Sequence, residues 1–341
     1  MMTTLQIGDV TIPGRVLAAP MTGVTDLPAR RIAVAEGAAY VATEMVACDA
    51  FAKGRPDVVR RAAGEELPLR VIQLVGRDPQ WVAAGAKLAE KAGADIIDLN
   101  FGCPCKEVTG ALSGSALMRE PELAARIISA AVEATDRPVT LKMRLGWDDN
   151  SRNAPELAAQ AERLGIQAIT VHARTRNQFY KGKADWNAVA EVRQATRLPL
   201  IINGDIVSAA TAREAMARSG ADGVMIGRGA YGRPWVMAAI DAALKAPDDR
   251  AENEPGMGRR LEIVLQHFSE TLKFYGDSLG VKIFRKHLGW YVEQAFMPAD
   301  AAQRRAAKSR LCQIDNPTTV ESSIIALWSD LPLPLSASVT I

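Results

Sequence analysis

A cysteine in a loop rich in glycine and proline is the most reactive candidate in this sequence. Cys103 follows the apolar run Ile96–Leu99, within LNFGCPCKEVTGALSGSALM, at a position that is neither apolar nor helical. A nucleophilic cysteine needs a neighbouring base or cation that lowers its pKa. A general acid needs a protonated thiol held close to its substrate. The sequence predicts catalysis by Cys103 and leaves both roles open.

The nearby Cys105 raises two other interpretations, a metal site and a disulfide. Zinc needs four ligands, and neither a second cysteine pair nor a matching histidine spacing occurs in the chain. We therefore predict no metal. A disulfide between Cys103 and Cys105 stays open, although four cysteines without a regular framework are typical of a reducing compartment.

Lys142 is the second candidate, because it lies inside the apolar run Val139–Met143. A buried ammonium group is costly unless an anion or an acceptor faces it. The negative pyrimidine edge of a reduced flavin would be such a partner. A structural pair with an aspartate is the alternative.

Further polar residues stand at the ends of successive apolar runs. In a closed barrel of parallel strands, the C-terminal ends of the strands meet at one mouth, where reacting groups lie. A single polar group at a strand end is usually satisfied locally, but a polar or special residue after every run favours a shared site. These residues are Pro20, Met21, Glu44, Gln73, Asn100, Arg144, His172, Arg174, Asn203, Asp205, Gly227 and Arg228.

The last two runs are followed by glycine motifs, Asn203-Gly204-Asp205-Ile206 and Gly227-Arg228-Gly229. Backbone amides near a helix start, together with the Arg228 cation, suit a phosphate group. Tight turns also need glycine for conformational reasons alone.

The elements that position these residues follow from the alternation of short apolar runs with Ala-rich helical segments. Such alternation predicts a parallel sheet covered by helices, and eight units in about 230 residues predict an α/β fold of the (β/α)8 TIM-barrel type. A doubly wound open sheet is the alternative. A hairpin with Gly8-Asp9 at its turn should precede the barrel. The predicted strands are Val16–Ala19, Tyr40–Thr43, Val71–Val75, Ile96–Leu99, Val139–Met143, Ile169–Val171, Leu200–Ile202 and Gly223–Ile226, and the helices include Trp81–Lys91, Pro121–Ala134, Pro155–Leu164, Asn187–Ala195 and Ala209–Arg218.

The pattern changes after the barrel, which we place at residues 1–245. Residues 246–258, rich in proline, glycine and charge, predict a linker. Apolar residues at helical spacing then predict a small all-α domain over residues 259–330, including a helix that opens at Asn316-Pro317. We expect residues 331–341 to form an irregular tail.

Charge in the helical domain is concentrated in one segment. Between Lys282 and Arg310 there are seven lysines and arginines against two acidic residues, with His287, Trp290 and Tyr291 among them. A basic helix surface with aromatic residues suits RNA, whereas a solvated helix face explains the same charges. Arg174, Arg176 and Lys181 would extend such a surface.

Overall composition narrows the class of protein. The 341 residues are 48% hydrophobic and 23% charged, which is typical of a globular protein. A net charge of +2 neither requires nor excludes a polyanionic partner. The first residues have no apolar signal-peptide core, and no apolar run is long enough for a bilayer. We expect a soluble, cytoplasmic, monomeric protein.

Seven ordered motifs resemble the bacterial tRNA-dihydrouridine synthases, and most closely their B-type branch. They cover nearly the whole barrel, and the resemblance continues into the helical domain at FRKHLGWY. The motifs are APMTGVTD (Ala19–Asp26), VIQLVG (Val71–Gly76), DLNFGCPCKEV (Asp98–Val108), LKMRLGW (Leu141–Trp147), VHART (Val171–Thr175), INGDI (Ile202–Ile206) and MIGRGAYGRPW (Met225–Trp235).

This resemblance implies an FMN enzyme that reduces uridine in the D-loop of tRNA to dihydrouridine, with NADPH or NADH as the reductant. Cys103 would be the proton donor. The FMN ring would lie against Pro20, Met21, Thr22 and Gln73, its pyrimidine edge or the substrate uracil against Lys142 and His172, and its phosphate against Asn203, Gly204, Asp205, Gly227 and Arg228. Asn100 would help to orient the target base. Independently of the resemblance, the placement of charge leads us to expect contacts with the substrate or the RNA from Arg144, Arg174, Arg176, Lys181, Arg285, Lys286 and His287.

Two residues depart from the family pattern. Cys105 stands where we expect a residue without a thiol, so oxidation of Cys103 would be easier. Thr22 replaces a small apolar residue, which we expect to be harmless. Two other functions stay open: an FMN-dependent dehydrogenase of free dihydropyrimidines or dihydroorotate, and a non-catalytic RNA-binding or regulatory protein.

Overall fold

The computed structural model describes residues 4–110, 112–246, 253–295 and 301–329. They form two compact units: residues 4–229 with 236–246, and residues 230–235 with 253–329. The short segment after the last barrel strand therefore belongs to the second unit. Residues 247–252 of the expected linker and the whole expected tail, 331–341, lie outside the described residues.

The chain begins with the expected hairpin. Strands β1 (Leu5–Ile7) and β2 (Val10–Ile12) pair antiparallel, with Ile7 opposite Val10. The turn is Gly8-Asp9, and Gly8 has a φ of +59°, which a two-residue hairpin turn requires. Leu5, Ile7 and Ile12 pack with buried residues from the N-terminal ends of the barrel strands. The hairpin thus covers the end of the barrel opposite to the predicted mouth.

Eight parallel strands follow within the described part of the first unit. Their order in the sheet is β3-β10-β9-β8-β7-β6-β5-β4. Strands β6 to β10 are buried at every position, because they face the barrel interior on one side and helices on the other. The strands are β3 (Val16–Ala18), β4 (Val46–Ala47), β5 (Val71–Val75), β6 (Ile96–Phe101), β7 (Val139–Arg144), β8 (Ala168–His172), β9 (Leu200–Asn203) and β10 (Gly223–Ile226).

The second expected strand, Tyr40–Thr43, is reduced to isolated parallel bridges. Val41 forms a parallel bridge to Ala18 on β3, and Ala42 forms one to Val71 on β5. The segment therefore lies between β3 and β5 and closes the ring of strands. The Thr43 hydroxyl accepts a hydrogen bond from the Gln73 backbone amide at 3.0 Å, in the place of a backbone carbonyl. The ladder with β5 is interrupted there and resumes at β4, where Val46 pairs with Leu74. The (β/α)8 barrel is confirmed.

Helices cover the outside of the barrel, as expected. The helix expected from Trp81 begins two residues earlier, because the Asp78 carboxylate accepts the Gln80 amide and Pro79 occupies the first turn. Two 3-10 helices, Gly114–Arg119 and Arg228–Ala230, lie on the mouth side. The helices are α1 (Leu27–Ala35), α2 (Cys48–Ala52), α3 (Pro56–Arg61), α4 (Pro79–Lys91), α5 (Lys106–Gly110), α6 (Pro121–Val132), α7 (Ala154–Arg163), α8 (Ala188–Ala195), α9 (Ala209–Ser219) and α10 (Val236–Lys245).

Among its described residues, the second unit contains helices joined by short irregular segments. Its helices are α11 (Met257–Tyr275), α12 (Asp277–Ala295), α13 (Ala301–Leu311) and α14 (Pro317–Ser329). The sequence pattern did not predict α13, since only Ala307 and Leu311 of this alanine- and arginine-rich helix are buried. In the part of the chain described, none of the helices combines the length and apolarity needed to cross a membrane.

Candidate active site

The polar residues of the barrel interior lie on neighbouring strands at the same level. Asn100 on β6 is opposite Lys142 on β7. One step further, Arg144 is opposite His172 on β8, and His172 is opposite Asn203 on β9. Because alternate residues of a strand share a face, these side chains converge at the C-terminal ends of the strands. The structure therefore brings together the residues that the sequence singled out.

Cys103 is held at this mouth by its own backbone. Its amide donates to the Asn100 side-chain oxygen at 2.9 Å, and its carbonyl accepts from the Ser115 hydroxyl at 2.8 Å. Gly114 has a φ of +59°, and a Cβ there would lie 2.9 Å from the Cys103 carbonyl oxygen, so the loop closes tightly on Cys103. Burial raises the pKa of the Cys103 thiol. A protonated thiol at neutral pH suits a general acid better than a nucleophile.

Asn100 is itself part of a buried hydrogen-bond chain. Its side-chain amide donates to Gln73 Oε1 at 2.8 Å, and Gln73 Nε2 donates to Asp98 Oδ2 at 2.6 Å. The Thr140 hydroxyl donates to the other Asp98 oxygen at 2.7 Å. Gln73 has no exposed surface. Its polar atoms bind Asp98 and Asn100 beneath the mouth, and its contact with a cofactor ring stays a prediction.

Lys142 is buried, and its ammonium group donates to the Asn203 side-chain oxygen at 3.3 Å. Burial lowers the pKa of Lys142 to about 8, while Asp98 opposes the decrease. The amine therefore stays mostly protonated at neutral pH. Its hydrogen-bond partner is a neutral amide rather than the carboxylate of a structural pair, so the cation is only partly compensated.

His172 stands among cations. Burial lowers its pKa far below the usual value, and Arg144, Lys142, Arg174 and Arg228 lower it further. The imidazole is therefore neutral at physiological pH and can donate or accept a hydrogen bond. The surrounding positive charge suits an anionic ligand.

The loops after β9 and β10 adopt the tight geometry expected of a phosphate site. Gly204 and Asp205 have φ values of +119° and +57°. A Cβ at Gly229 would lie 2.7 Å from the Ile206 carbonyl oxygen, so glycine lets the two loops approach each other. The Asp205 carboxylate binds Arg174 at 2.6 Å. Since a carboxylate repels phosphate, Asp205 can contribute only its backbone amide.

The exposed Arg228 completes the positive surface. Its guanidinium is 3.6 Å from Asp205 and lies 5.0 Å from the centre of the Tyr180 ring. Half of its side chain is exposed. A cation in this position is available to an incoming phosphate group.

Comparison with known proteins assigns the chain to a family. The family model described as dihydrouridine synthase matches residues 16–326. The chain belongs to the dihydrouridine synthase family. It is therefore an enzyme, and its family is one of oxidoreductases.

Relatives within the family align over most of the chain. A probable tRNA-dihydrouridine synthase of Rhodobacter capsulatus is 49% identical over 89% of this chain and 94% of its own. A similar protein of Rickettsia conorii is 44% identical over 96% of this chain and 97% of its own. The tRNA-dihydrouridine synthase B of Pseudomonas aeruginosa is 42% identical over 92% and 93%.

A solved structure of morphinone reductase in complex with tetrahydroNAD resembles the fold. Its TM-score is 0.52 at 17% identity, over 74% of this chain and 92% of the other. This likeness supports the barrel architecture alone.

The flavin-ring residues expected in this family member lie at the end of β3. Pro20 and Met21 are half-buried, and Thr22 is exposed. The Met21 carbonyl accepts the amides of Val24 and Thr25, which folds this segment into a turn at the mouth. Gly227 faces the same turn, since a Cβ there would lie 3.6 Å from the Met21 sulfur.

Two arginines expected on an RNA surface of the dihydrouridine synthase barrel are buried instead. Arg144 donates to the carbonyls of Gly102, Thr175 and Phe179. Arg174 binds Asp205 and donates to the carbonyls of Lys181 and Gly182. Their guanidinium groups fold the loop after β8 back over the mouth, so neither extends an exposed track.

The other two barrel residues that we expected on the RNA surface differ in their exposure to solvent. Lys181 is exposed, and Arg176 is half-buried. The Arg176 guanidinium stacks 4.5 Å from the Trp147 ring, whose other contact is Arg119 at 3.8 Å.

In the helical unit, Arg285 and Lys286 are partly exposed, as an RNA surface requires. Arg285 pairs with Asp315 at 2.5 Å. His287 is buried against His267, with ring centres 4.6 Å apart. The expectation that His287 contacts RNA is corrected, because its ring packs in the core of the unit.

Sequence reasoning missed two residues of this dihydrouridine synthase site. Asp98 is buried at the centre of the interior network, and an acid inside the apolar run IIDLNF, two residues before Asn100, was the available signal. Tyr180 is 51% exposed among Arg144, His172 and Arg228. Its loop gave no periodic signal.

Proposed function

We propose that this protein reduces uridine in the D-loop of tRNA to 5,6-dihydrouridine, with FMN as the cofactor, NADPH as the reductant and Cys103 as the acid. The observation that carries the proposal is that Asn100 binds the Cys103 backbone amide at the mouth that also contains the buried Lys142 ammonium group, while burial raises the pKa of the Cys103 thiol. The names of the 42–49% identical relatives support tRNA as the substrate.

The residues present fit a flavin mononucleotide. Its phosphate needs backbone amides and a cation, which Gly204, Gly227 and the exposed Arg228 offer. Its anionic pyrimidine edge needs positive charge, which the partly compensated Lys142 offers. Pro20 and Met21 offer an apolar edge for the ring. When bound, reduced FMN supplies a hydride to C6 of the uracil.

The protein supplies the second half of the reduction, a proton at C5. The Cys103 S–H bond breaks, a C5–H bond forms, and the resulting thiolate regains a proton from water. The raised pKa of Cys103 keeps the thiol protonated between turnovers and makes its thiolate a good base for that return step. Lys142 and neutral His172 are the donors available to stabilise negative charge on the uracil oxygens.

Recognition of tRNA is assigned to the basic residues of the helical unit and to Lys181. The uridine must leave its stack to enter the mouth. The exposed Tyr180 ring beside Arg228 offers a surface for an unstacked base.

The test is direct conversion of an unmodified tRNA transcript. Purified protein with FMN and NADPH should convert D-loop uridine to dihydrouridine, detected by mass spectrometry of tRNA fragments, while free dihydroorotate and free dihydropyrimidines are not oxidised. Turnover of the free compounds without modification of tRNA supports the rival dehydrogenase instead. A colourless protein that retains no flavin supports a non-catalytic role.

A further inference from the structure

Asp98 is a buried carboxylate that neither the thiol chemistry nor cofactor binding explains. It lies in the middle of β6, 3% exposed, between Gln73 on β5 and Thr140 on β7. Both neighbours donate hydrogen bonds to it, at 2.6 and 2.7 Å. Lys142 and Tyr40 are the ionisable groups that face it. A buried carboxylate is costly to keep at such a position, so its particular chemistry matters.

A carboxylate differs from an amide because it only accepts hydrogen bonds. Asp98 must therefore face the Gln73 Nε2 atom, which leaves Gln73 Oε1 to accept from Asn100 Nδ2 at 2.8 Å. Asn100 then turns its own oxygen outwards. That oxygen accepts the backbone amides of Gly102 at 3.2 Å and Cys103 at 2.9 Å.

Reversal of this chain of hydrogen bonds would disrupt the loop that carries Cys103. If Gln73 presented its NH2 group to Asn100, then Asn100 would present its own NH2 group to the amides of Gly102 and Cys103. Donors would face donors, and both hydrogen bonds would be lost. The amides of Gly102 and Cys103 oppose that reversal at one end, and the acceptor-only carboxylate at position 98 opposes it at the other.

We propose that Asp98 is a positioning residue, which sets the direction of the hydrogen bonds through Gln73 and Asn100 and so holds the Cys103 loop in place. Its relevance to catalysis rests on the proposed function, in which Cys103 donates the proton. The positioning itself needs neither flavin nor tRNA.

The test compares four variants in a Cys105→Ser background, which leaves Cys103 as the reactive thiol of its peptide. Asp98→Asn replaces the carboxylate by an amide, which can present its NH2 group to Gln73 and so permits the reversed direction. Thr140→Val is the matched control, since it removes the other hydrogen bond to Asp98 and leaves the hydrogen bonds through Gln73 and Asn100 intact. The double variant Asp98→Asn/Gln73→Glu moves the carboxylate to position 73. There it accepts hydrogen bonds from Asn100 and from the amide introduced at position 98. The Asn100 oxygen then again points towards the amides of Gly102 and Cys103. Gln73→Glu alone places two carboxylates together.

The readout is the rate of Cys103 alkylation by iodoacetamide, followed by mass spectrometry on the flavin-loaded protein. We expect Asp98→Asn to react at least about fivefold faster, because a loosened loop exposes the thiol and returns its pKa towards the ordinary value. The double variant and Thr140→Val should stay within about twofold of the parent. An unchanged rate in Asp98→Asn overturns the proposal, as does a double variant no slower than Asp98→Asn.

If Asp98→Asn does not fold, Asn100→Ala provides the same test, because it removes the oxygen that binds the loop. An unchanged alkylation rate in that variant contradicts the proposal. Dihydrouridine formation is measured in parallel. A parent protein without that activity refutes the proposed function, whereas the alkylation result stands or fails independently of it.

Discussion

The two units bury polar side chains in different ways. In the barrel, Asp98, Lys142 and Arg144 are buried with polar partners and keep their charges beside an open mouth. In the helical unit, His267 and His287 are buried among aromatic rings, and burial lowers both pKa values far below the usual value. The buried side chains of the barrel therefore retain their charges, whereas the buried histidines of the helical unit are neutral and pack against aromatic rings. Buried titratable residues alone do not locate a site.

The first prediction concerns the buried cation of the barrel. Lys142→Met should lower dihydrouridine formation by about 10²–10³-fold, because the variant lacks the positive charge that we propose for the flavin's pyrimidine edge and the uracil oxygens. Its free energy of unfolding should also decrease, because the buried Asp98 carboxylate loses the cation that faces it and Asn203 loses a hydrogen-bond donor. Activity assays and urea unfolding measure both effects. The exposed Lys91 at the end of α4 is the control position for Lys→Met. Retention of more than about a tenth of the activity contradicts the assigned role.

The second prediction concerns the basic residues of the helical unit. Arg285→Glu/Lys286→Glu should weaken tRNA binding by about tenfold or more and reduce its dependence on salt, because fewer phosphate contacts release counterions. Loss of the Arg285–Asp315 pair contributes little, since Asp315 is exposed. Filter binding at several salt concentrations measures the effect, and bound FMN should be unchanged.

The control for charge reversal changes the net charge equally at a different place. Lys91→Glu/Arg137→Glu alters two exposed residues that precede barrel strands, at the end opposite to the mouth. Equal loss of affinity in both double variants would show that overall charge, rather than a defined surface, binds the tRNA.

The third and smallest prediction tests the neutral histidines. Burial lowers the pKa of His267 to about 3, against an ordinary value of 6.5. As the pH falls below 6.5, the unfolded chain binds a proton that the folded chain does not, so folding stability decreases towards pH 3. His267→Gln removes this titration and keeps a partner for the Tyr291 hydroxyl, which lies 3.0 Å from His267.

For that variant, the loss of stability between pH 7 and pH 5 should be about 1–2 kcal/mol smaller than in the parent. Urea unfolding at the two pH values measures it. Dihydrouridine formation at neutral pH should remain close to that of the parent. An equal loss in both proteins would mean that His267 already binds a proton in the folded state.

The barrel was predictable because strand period and element order are local properties of the sequence. Apolar runs gave the strands, and the ends of those runs indicated a common level for Asn100, Lys142 and His172. The Tyr40–Thr43 strand was only partly predictable, since the Thr43 hydroxyl takes over a ladder hydrogen bond.

Side-chain partners were less predictable than positions. The sequence did not indicate that Arg174 and Arg144 fold the loop after β8 inwards. Apart from Asp205, which binds Arg174, their partners in that loop are backbone carbonyls, which carry no sequence signal. His287 was misassigned for a related reason: its neighbours in sequence are basic, but its helix face points to His267. Helix α13 lacks the apolar stripe from which a helix is recognised.

The central claim is that one thiol delivers the proton that completes the reduction. Flavin-loaded Cys103→Ala, supplied with NADPH and tRNA, tests it most directly, with dihydrouridine counted by mass spectrometry and flavin reduction followed by absorbance. We expect wild-type flavin content, wild-type reduction by NADPH and dihydrouridine formation at least about 10²-fold slower. Dihydrouridine formation close to the wild-type rate would assign the proton to another group and contradict this account.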